Sequence, residues 1–483
     1  MAKRPPALYS FAITLVAACA LSACASGSFD KNYQRPGLDL PASVPGTTAN
    51  PADLLMWWKS FQDPVLDALL AEATSQSQDL VLASARIAEA RAVLGQNQAN
   101  LYPTVDLNAS STRRRGSENA ASFNPGNSAY SDDKQLGLSA SYEFDFWGKY
   151  ARADDAARAR LLSQTASRGT VLTTLVANVA QGYLALRALD AQTTLAEQTL
   201  ATRQTNLRLQ QRRFEAGVIG EIDLRQAESE AAAVQATLQA ARQNRSNAES
   251  ALALLLGRSP HDIAQPVLAR GATFSALYDH QTVAAYLPSD VLNRRPDVLS
   301  AEQNLMAAQA DIGQARAAYF PKLSLTAGLG QQSKDLASLF DPASLLWNFV
   351  GNLSQPIFRA GAIGAVVEGA SARQQQALAQ YTQTVQNAFR DVHDALNNVE
   401  AGRAITATTT LRIDALRHTL HLADVRYKAG YSSYLEVLNA QRDLAQAESA
   451  LIDTQRNQLN AVVSLYKAVG GGWDAGAGLA LPQ

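Results

Sequence analysis

Few residues in this 483-residue chain have the chemistry to act on anything, and their spacing narrows the choice further. There are two cysteines and five histidines. Cys24 follows Leu21-Ser22-Ala23 at the end of a short apolar segment. Small residues before such a cysteine suit a thiol that takes a diacylglycerol, with cleavage leaving Cys24 as the first mature residue; the alternative is a plain secretory signal in which Cys24 is incidental. Cys19 lies inside the apolar segment and would be lost with it, so no intramolecular disulfide is available after processing. His418 and His421 stand three apart, the spacing of a metal pair on one helix face, but no third ligand accompanies them. His261, His280 and His393 are scattered. A Gly-rich phosphate loop, an HExxH motif and a cysteine cluster are all missing. The residues therefore point away from an enzyme, a metal site and any cofactor beyond the lipid on Cys24.

A second set of polar residues belongs to a motif used twice. Arg213 to Glu228 aligns without a gap with Arg426 to Gln441, at an offset of 213. Each stretch is a glycine-marked turn (Gly217 and Gly220; Gly430) between long helical patterns. Asp223 and Glu436 hold equivalent positions just after the turns, where the helix dipole favours an acid.

The elements that must position these residues begin with a targeting segment. Lys3 and Arg4 precede an apolar run from Phe11 to Ala20, of signal-peptide length and too short to span a membrane. Residues 1–23 read as that signal, and the stretch up to Cys24 resembles a bacterial lipoprotein box; by resemblance to lipoprotein sorting in Gram-negative envelopes, Ala25 rather than Asp after the cysteine favours the outer membrane. Its loss takes the formal charge from −1 down by two, to −3, and nothing suggests a nucleic-acid surface. Residues 24–55, rich in Pro, Gly, Ser and Thr, read as an extended tether.

The body, from residue 56, divides into two similar halves. In the first (56–257), Asp63-Pro64 caps a helix expected to run to about Asn100. The period then changes to two. Strands are expected at about 103–112 and 135–147, the second with Leu136, Leu138, Ala140, Tyr142, Phe144 and Phe146 on one face. About ten residues with one apolar and one polar face suit a transmembrane β-barrel, although a half-buried strand in a soluble sheet alternates likewise. From Gly148 a helical pattern runs to about Phe214, roughly 100 Å at 1.5 Å per residue. Past the tip at about 214–223, Leu224, Ala227, Ala231, Val234, Leu238, Ala241, Ala248, Leu252 and Leu255 form a heptad seam, predicting supercoiled helices. Alanines off the seam (Ala232, Ala233, Ala236, Ala240) imply neighbours on two sides.

A linker (258–288) with Pro260 and Pro266 is expected to carry short strands. The second half (289–470) repeats the plan. Ala301 to Pro321 aligns with Ala83 to Pro103 at an offset of 218. Strands are expected at about 322–331 and 346–356, a tip at about 427–436, and a seam from Val437 to Ala468. Residues 471–483 form a tail. The fold class is mainly α with membrane β, from a duplicated helix-strand-strand-long helix-hairpin-helix unit.

Four strands cannot close a barrel, and an open edge in lipid leaves backbone groups unsatisfied. Twelve strands from three chains or sixteen from four are the simple symmetric solutions. A helical tube continuous with such a barrel is a conduit.

Trp58-Lys59-Ser60-Phe61-Gln62-Asp63-Pro64, Tyr142-Glu143-Phe144-Asp145-Phe146-Trp147-Gly148, Leu287 to Asp297, Pro356-Ile357-Phe358 and Gly470-Gly471-Gly472-Trp473 together carry a resemblance. They resemble the TolC-like outer-membrane efflux proteins, within them the lipoproteins serving resistance-nodulation-division pumps. That resemblance implies a homotrimer with a 12-stranded β-barrel continuous with a 12-helix α-barrel, an equatorial belt, a periplasmic adaptor protein and an inner-membrane pump. It places a gate at the periplasmic tips, with Asp223, Glu436 and Asn439 at tip-acid positions and Tyr427 as a gating tyrosine. Ser432 stands where the family can have a gating Arg, and Asn439 where it can have Asp, so a salt-bridge lock is in doubt. The resemblance implies a passive exit duct for small molecules such as drugs. Alternatives are a duct for type I protein secretion and a non-conducting envelope lipoprotein.

Overall fold

The computed structural model describes residues 35–37, 54–119, 121, 124, 126, 128–279 and 294–474. Cys24, the signal segment and nearly all the tether lie outside them. The described chain begins with a 3-10 turn, Trp57–Phe61, and α1 (Pro64–Gln76) and α2 (Gln78–Ala99) follow. Next come β1 (Thr104–Arg115), β2 (Tyr130–Phe144), α3 (Lys149–Glu215) and α4 (Glu221–Leu255). Two short helices, α5 (Pro260–Ala264) and α6 (Phe274–Asp279), lead to α7 (Pro296–Arg316). The remainder is β3 (Lys322–Ser333), β4 (Leu345–Ser354), α8 (Ala362–Lys428) and α9 (Tyr434–Ala468).

The duplication extends to element ends. α3 and α8 each have 67 residues, α4 and α9 each 35, and all four boundaries correspond at the 213-residue offset seen in the sequence. β1 and β3, of 12 residues each, correspond at 218.

Several expected boundaries move, for local reasons. The helix expected from Pro64 to Asn100 is two helices, because Ser77 takes an extended conformation and its N–H still bonds to the Ala73 carbonyl at 3.0 Å. Gly257, at φ +75°, lies so close to the break that an added Cβ would come within 2.6 Å of the Gln76 carbonyl oxygen. β2 starts five residues before the expected 135, because Tyr130 to Lys134 continue the ladder opposite Ser111 to Arg115. It ends at Phe144 rather than 147: Asp145 turns to accept the Ala151 N–H at 2.8 Å, and Gly148 takes φ +71°. Phe146 is thus outside the strand. β1 runs past 112 to Arg115 and β4 stops at Ser354, two residues before Pro356. The linker's described part, 258–279, holds helices α5 and α6 instead of short strands.

The chain divides into two compact units. The first (Met1–Gly37, Ala88–Leu161, Glu302–Gln380) contains one antiparallel sheet in the order β1-β2-β3-β4. Register places Val105 opposite Ala140 and Leu107 opposite Leu138, then Leu138 opposite Leu329 and Leu329 opposite Trp347. One sheet face is therefore apolar across all four strands, since directly paired residues share a face. Beside it the Trp147 indole N–H donates to the Pro321 carbonyl at 2.7 Å and its ring stacks on Phe320.

The second unit (Leu38–Ile87, Leu162–Ala301, Tyr381–Gln483) is helical, and its described core joins α1, the start of α2, α3, α4, α6, α8 and α9. The seams expected in the sequence supply buried residues: Leu224, Ala227, Ala231, Leu238 and Leu252 on α4, and Val437, Ala440, Ala447, Leu465 and Ala468 on α9. Ala232, Ala233, Ala236 and Ala240 remain exposed. Asp63 joins the start of α1 to the core: it caps Val65 N–H at 2.9 Å and accepts the Tyr183 hydroxyl at 2.6 Å. Burial, then the Asp63 carboxylate, pushes the Tyr183 phenol up. The glycine run has a packing role: Gly472 N–H bonds the Leu54 carbonyl at 2.9 Å, and Trp473 lies so near Gly169 that no Cβ fits between them. Arg295 is buried and donates to the Ala468 carbonyl at 2.9 Å and to Asp297 at 2.8 Å.

Candidate functional site at the hairpin tips

Two turns join the long helices, α3 to α4 and α8 to α9. One glycine in each turn has a positive φ, +69° at Gly217 and +80° at Gly430, which a side chain would strain. The Val218 N–H returns to the Arg213 carbonyl and the Tyr431 N–H to Arg426, both at 2.9 Å. These are the long-range carbonyl captures that close a helix at a left-handed glycine.

Next to the turns the structure gathers side chains from all four helices. Tyr434, Val437, Leu438 and Ala440 of α9 bury against Ala227 of α4 and Ala423 of α8, with Leu207, Leu420 and Tyr427 packed around them. Tyr427 lies at the centre of the polar contacts. Its hydroxyl accepts from Arg213 Nη1 at 2.8 Å and from Gln210 Nε2 at 3.2 Å, and the Arg213 guanidinium lies over its ring at 5.4 Å. The Tyr427 and Tyr434 rings approach to 5.6 Å. Burial raises the Tyr434 phenol above its ordinary value.

The other expected site residues divide. Glu436 pairs with Arg426 at 3.1 Å, an exposed contact within the second tip. Asp223 is half-buried and Asn439 is exposed. Among the described residues neither side chain has a hydrogen bond or ion pair, and the structure does not bring them to Tyr427. Ser432 Oγ is buried without a partner among the described residues. His418 and His421 are exposed on α8, and no third potential ligand joins them among the described residues.

One constellation has no counterpart in the sequence reading. Arg203 of α3, Glu230 of α4 and Arg442 of α9 form an ionic triad, with Arg203–Glu230 at 3.5 Å and Arg442–Glu230 at 2.6 Å. The Arg203 and Glu230 side chains are only 4% and 7% exposed. Desolvation lowers the Arg203 value, partly opposed by Glu230. Arg203 also bonds Gln441. The three lie in a cleft of about 570 Å³ whose lining includes Thr199, Asn244 and Gln446. No local pattern singles the three out, since Arg203, Glu230 and Arg442 stand among other polar and charged residues such as Gln204, Glu228 and Asp443.

The comparisons with known proteins decide the family. Residues 69–258 and 287–471 match the family described as outer membrane efflux protein. The chain belongs to that family. It is 34% identical over 462 residues to the cation efflux system protein CusC of Escherichia coli O6:H1, spanning 94% of this chain and 97% of that one. Against the solvent efflux pump outer membrane protein SrpC of Pseudomonas putida it is 35% identical over 476 residues, with coverages of 96% and 97%. The crystal structure of the Campylobacter jejuni CmeC outer membrane channel superposes with a TM-score of 0.83 at 27% identity, covering 91% of this chain and 95% of CmeC. This family is one of outer-membrane channels rather than enzymes. The protein is thus an outer-membrane channel component of an efflux system.

Proposed function

We propose that three copies of this chain close into a passive exit duct for small molecules, gated at the hairpin tips. The observation that carries the reading is the four-stranded sheet, apolar on one face, with the outer edges of β1 and β4 unpaired among the described residues. Such edges cannot rest in hydrocarbon, and pairing β1 of one copy with β4 of the next satisfies both. Cys24 carries the lipid that anchors the chain. A periplasmic adaptor and an inner-membrane pump, of resistance-nodulation-division type, load the duct. Tyr427 holds the closed tip through Gln210 and Arg213, Glu436 holds the second turn through Arg426, and Asp223 and Asn439 face the passage. Because Ser432 and Asn439 carry no charge, the tips rely on aromatic and buried contacts more than on exposed salt bridges.

The test is the mass of the native complex together with single-channel conductance in planar bilayers. A trimer that conducts poorly and conducts more after Tyr427→Ala is expected. A species other than three-fold, or one that never conducts with Tyr427 and Glu436 both replaced, would overturn the duct. Cys24→Ser should abolish fatty-acid labelling; persistent labelling refutes the anchor.

A further inference from the structure

The sheet's apolar face ends in an unusual way. Following the register, the residues sharing the face of Leu107, Leu138, Leu329 and Trp347 are, toward the β1–β2 connection, Ser111 with Lys134, Arg113 with Asp132, and Arg115 with Tyr130. Every basic residue on this face of the four strands, Arg113, Arg115 and Lys134, lies at that one end. The opposite end of the face carries Val105, Tyr142, Phe144, Leu323 and Leu353 and no charge. Lys134 is two residues beyond Leu136 and Arg113 four beyond Ala109. At about 3.4 Å per residue and a tilt near 40°, their backbone positions lie about 5 and 10 Å past the apolar band. That is headgroup depth.

The cluster is ordered but not neutralised. Both guanidiniums approach the Tyr130 ring, at 5.5 Å for Arg113 and 5.8 Å for Arg115. Lys134 Nζ donates to the Ser111 hydroxyl at 2.9 Å. Asp132 reaches Arg113 only at 3.7 Å and Glu118 reaches Arg115 at 3.3 Å, both pairs well exposed. Three cations meet two acids, Asp132 on the strand and Glu118 just beyond β1, which leaves one positive charge in excess. The long helices leave the sheet from its other end, so this end is the one away from the periplasm; the argument rests on the outer-membrane duct reading.

We propose that Arg113, Arg115 and Lys134 form a binding site for the phosphate-bearing headgroup of an outer-leaflet lipid. Two forked guanidiniums and one ammonium match a phosphorylated sugar headgroup, while Leu136, Leu138 and Trp347 below them take the acyl chains. Bound lipid would fix the height of the barrel in the bilayer.

The experiment uses the full-length protein in nanodiscs, with bis-phosphorylated lipid A or its enzymatically dephosphorylated form as probe, and reads bound lipid by native mass spectrometry. The phosphorylated lipid should be retained at least about tenfold better, given about fivefold per basic residue at an anionic surface. Arg113→Gln with Arg115→Gln and Lys134→Gln should erase that preference, Asp132→Asn should increase it, and Arg114→Gln, on the polar face, should leave it unchanged. Arg113→Lys with Arg115→Lys keeps the charge and should keep most of the preference, which separates lost binding from misfolding. Equal retention of both lipids, or an unaltered preference in the triple glutamine variant, overturns the site. So does displacement of the lipid by millimolar inorganic phosphate, which would mark a general anion site. Conductance measured on the same samples keeps this outcome apart from failure of the duct itself.

Discussion

The two hairpin tips have matching backbones and opposite surface chemistry. The helices around them have equal lengths, and both turns use a left-handed glycine. Yet where the first tip places Glu221, the second places Tyr434, and where the first has Arg225, the second has Leu438. Glu221 and Glu228 pair with Arg225 in solvent at 3.0 and 2.9 Å, contacts worth little once screened. Val218 and Ile222 are each 68% exposed. At the second tip Tyr434 and Leu438 are buried against the neighbouring helices. One copy of the motif is therefore a solvated end and the other a docked one. Duplication kept the backbone turn, which glycine geometry constrains, and left the side chains free to diverge.

The comparison can be broken at several points. Glu230→Gln should have the largest effect, because it leaves Arg203 buried without its counter-charge. We expect a loss of about 3–5 kcal/mol of stability by denaturant unfolding, together with raised conductance. An unchanged midpoint would show that the triad does not bind the two hairpins together. Replacing Tyr434 by Ala should cost about 3 kcal/mol through its cavity, while Glu221→Ala at the matching position should cost under about 0.5 kcal/mol. Equal losses would erase the distinction between the tips. Tyr427→Phe removes a hydroxyl bonded to Arg213 and should cost about 1.5–3 kcal/mol, seen as faster hydrogen exchange in residues 427–440. The reciprocal Phe214→Tyr should change little.

The smallest effect is a pH dependence. The folded state raises the Tyr434 value above the unfolded phenol's value of about 10. It therefore holds the proton more tightly than the unfolded chain. That contribution is complete below pH 10 and is lost as pH rises beyond it. Exchange at residues 434–440 should accelerate there, with residues 221–227 following only if the tips are coupled.

Much of this was legible in the residues. The strand alternation, the offset of 213, the seams and the glycine turns are short-range patterns, each set by backbone sterics or by periodicity. Tyr427 was nominated by its place in the motif. What it touches was not, because Gln210 and Arg213 stand more than two hundred positions away and meet it only through helix packing. Asp223 and Asn439 show the converse: motif position alone nominated them, and the fold gives their side chains no partner among the described residues. The break at Ser77 escaped periodicity, since apolar spacing continues across it and Gly257, which lies against Gln76 there, is far along the chain.

The amino-acid order by itself determined which segments alternate, which supercoil and where the chain must turn, since these follow from neighbours within a few residues. Only the tertiary structure decided that one tip is docked and the other solvated. It alone assembled Arg203, Glu230 and Arg442 across three helices, and lined up Arg113, Arg115 and Lys134 at one end of the sheet. Burial, charge pairing and strand register depend on which distant segments meet, and no local pattern encodes that.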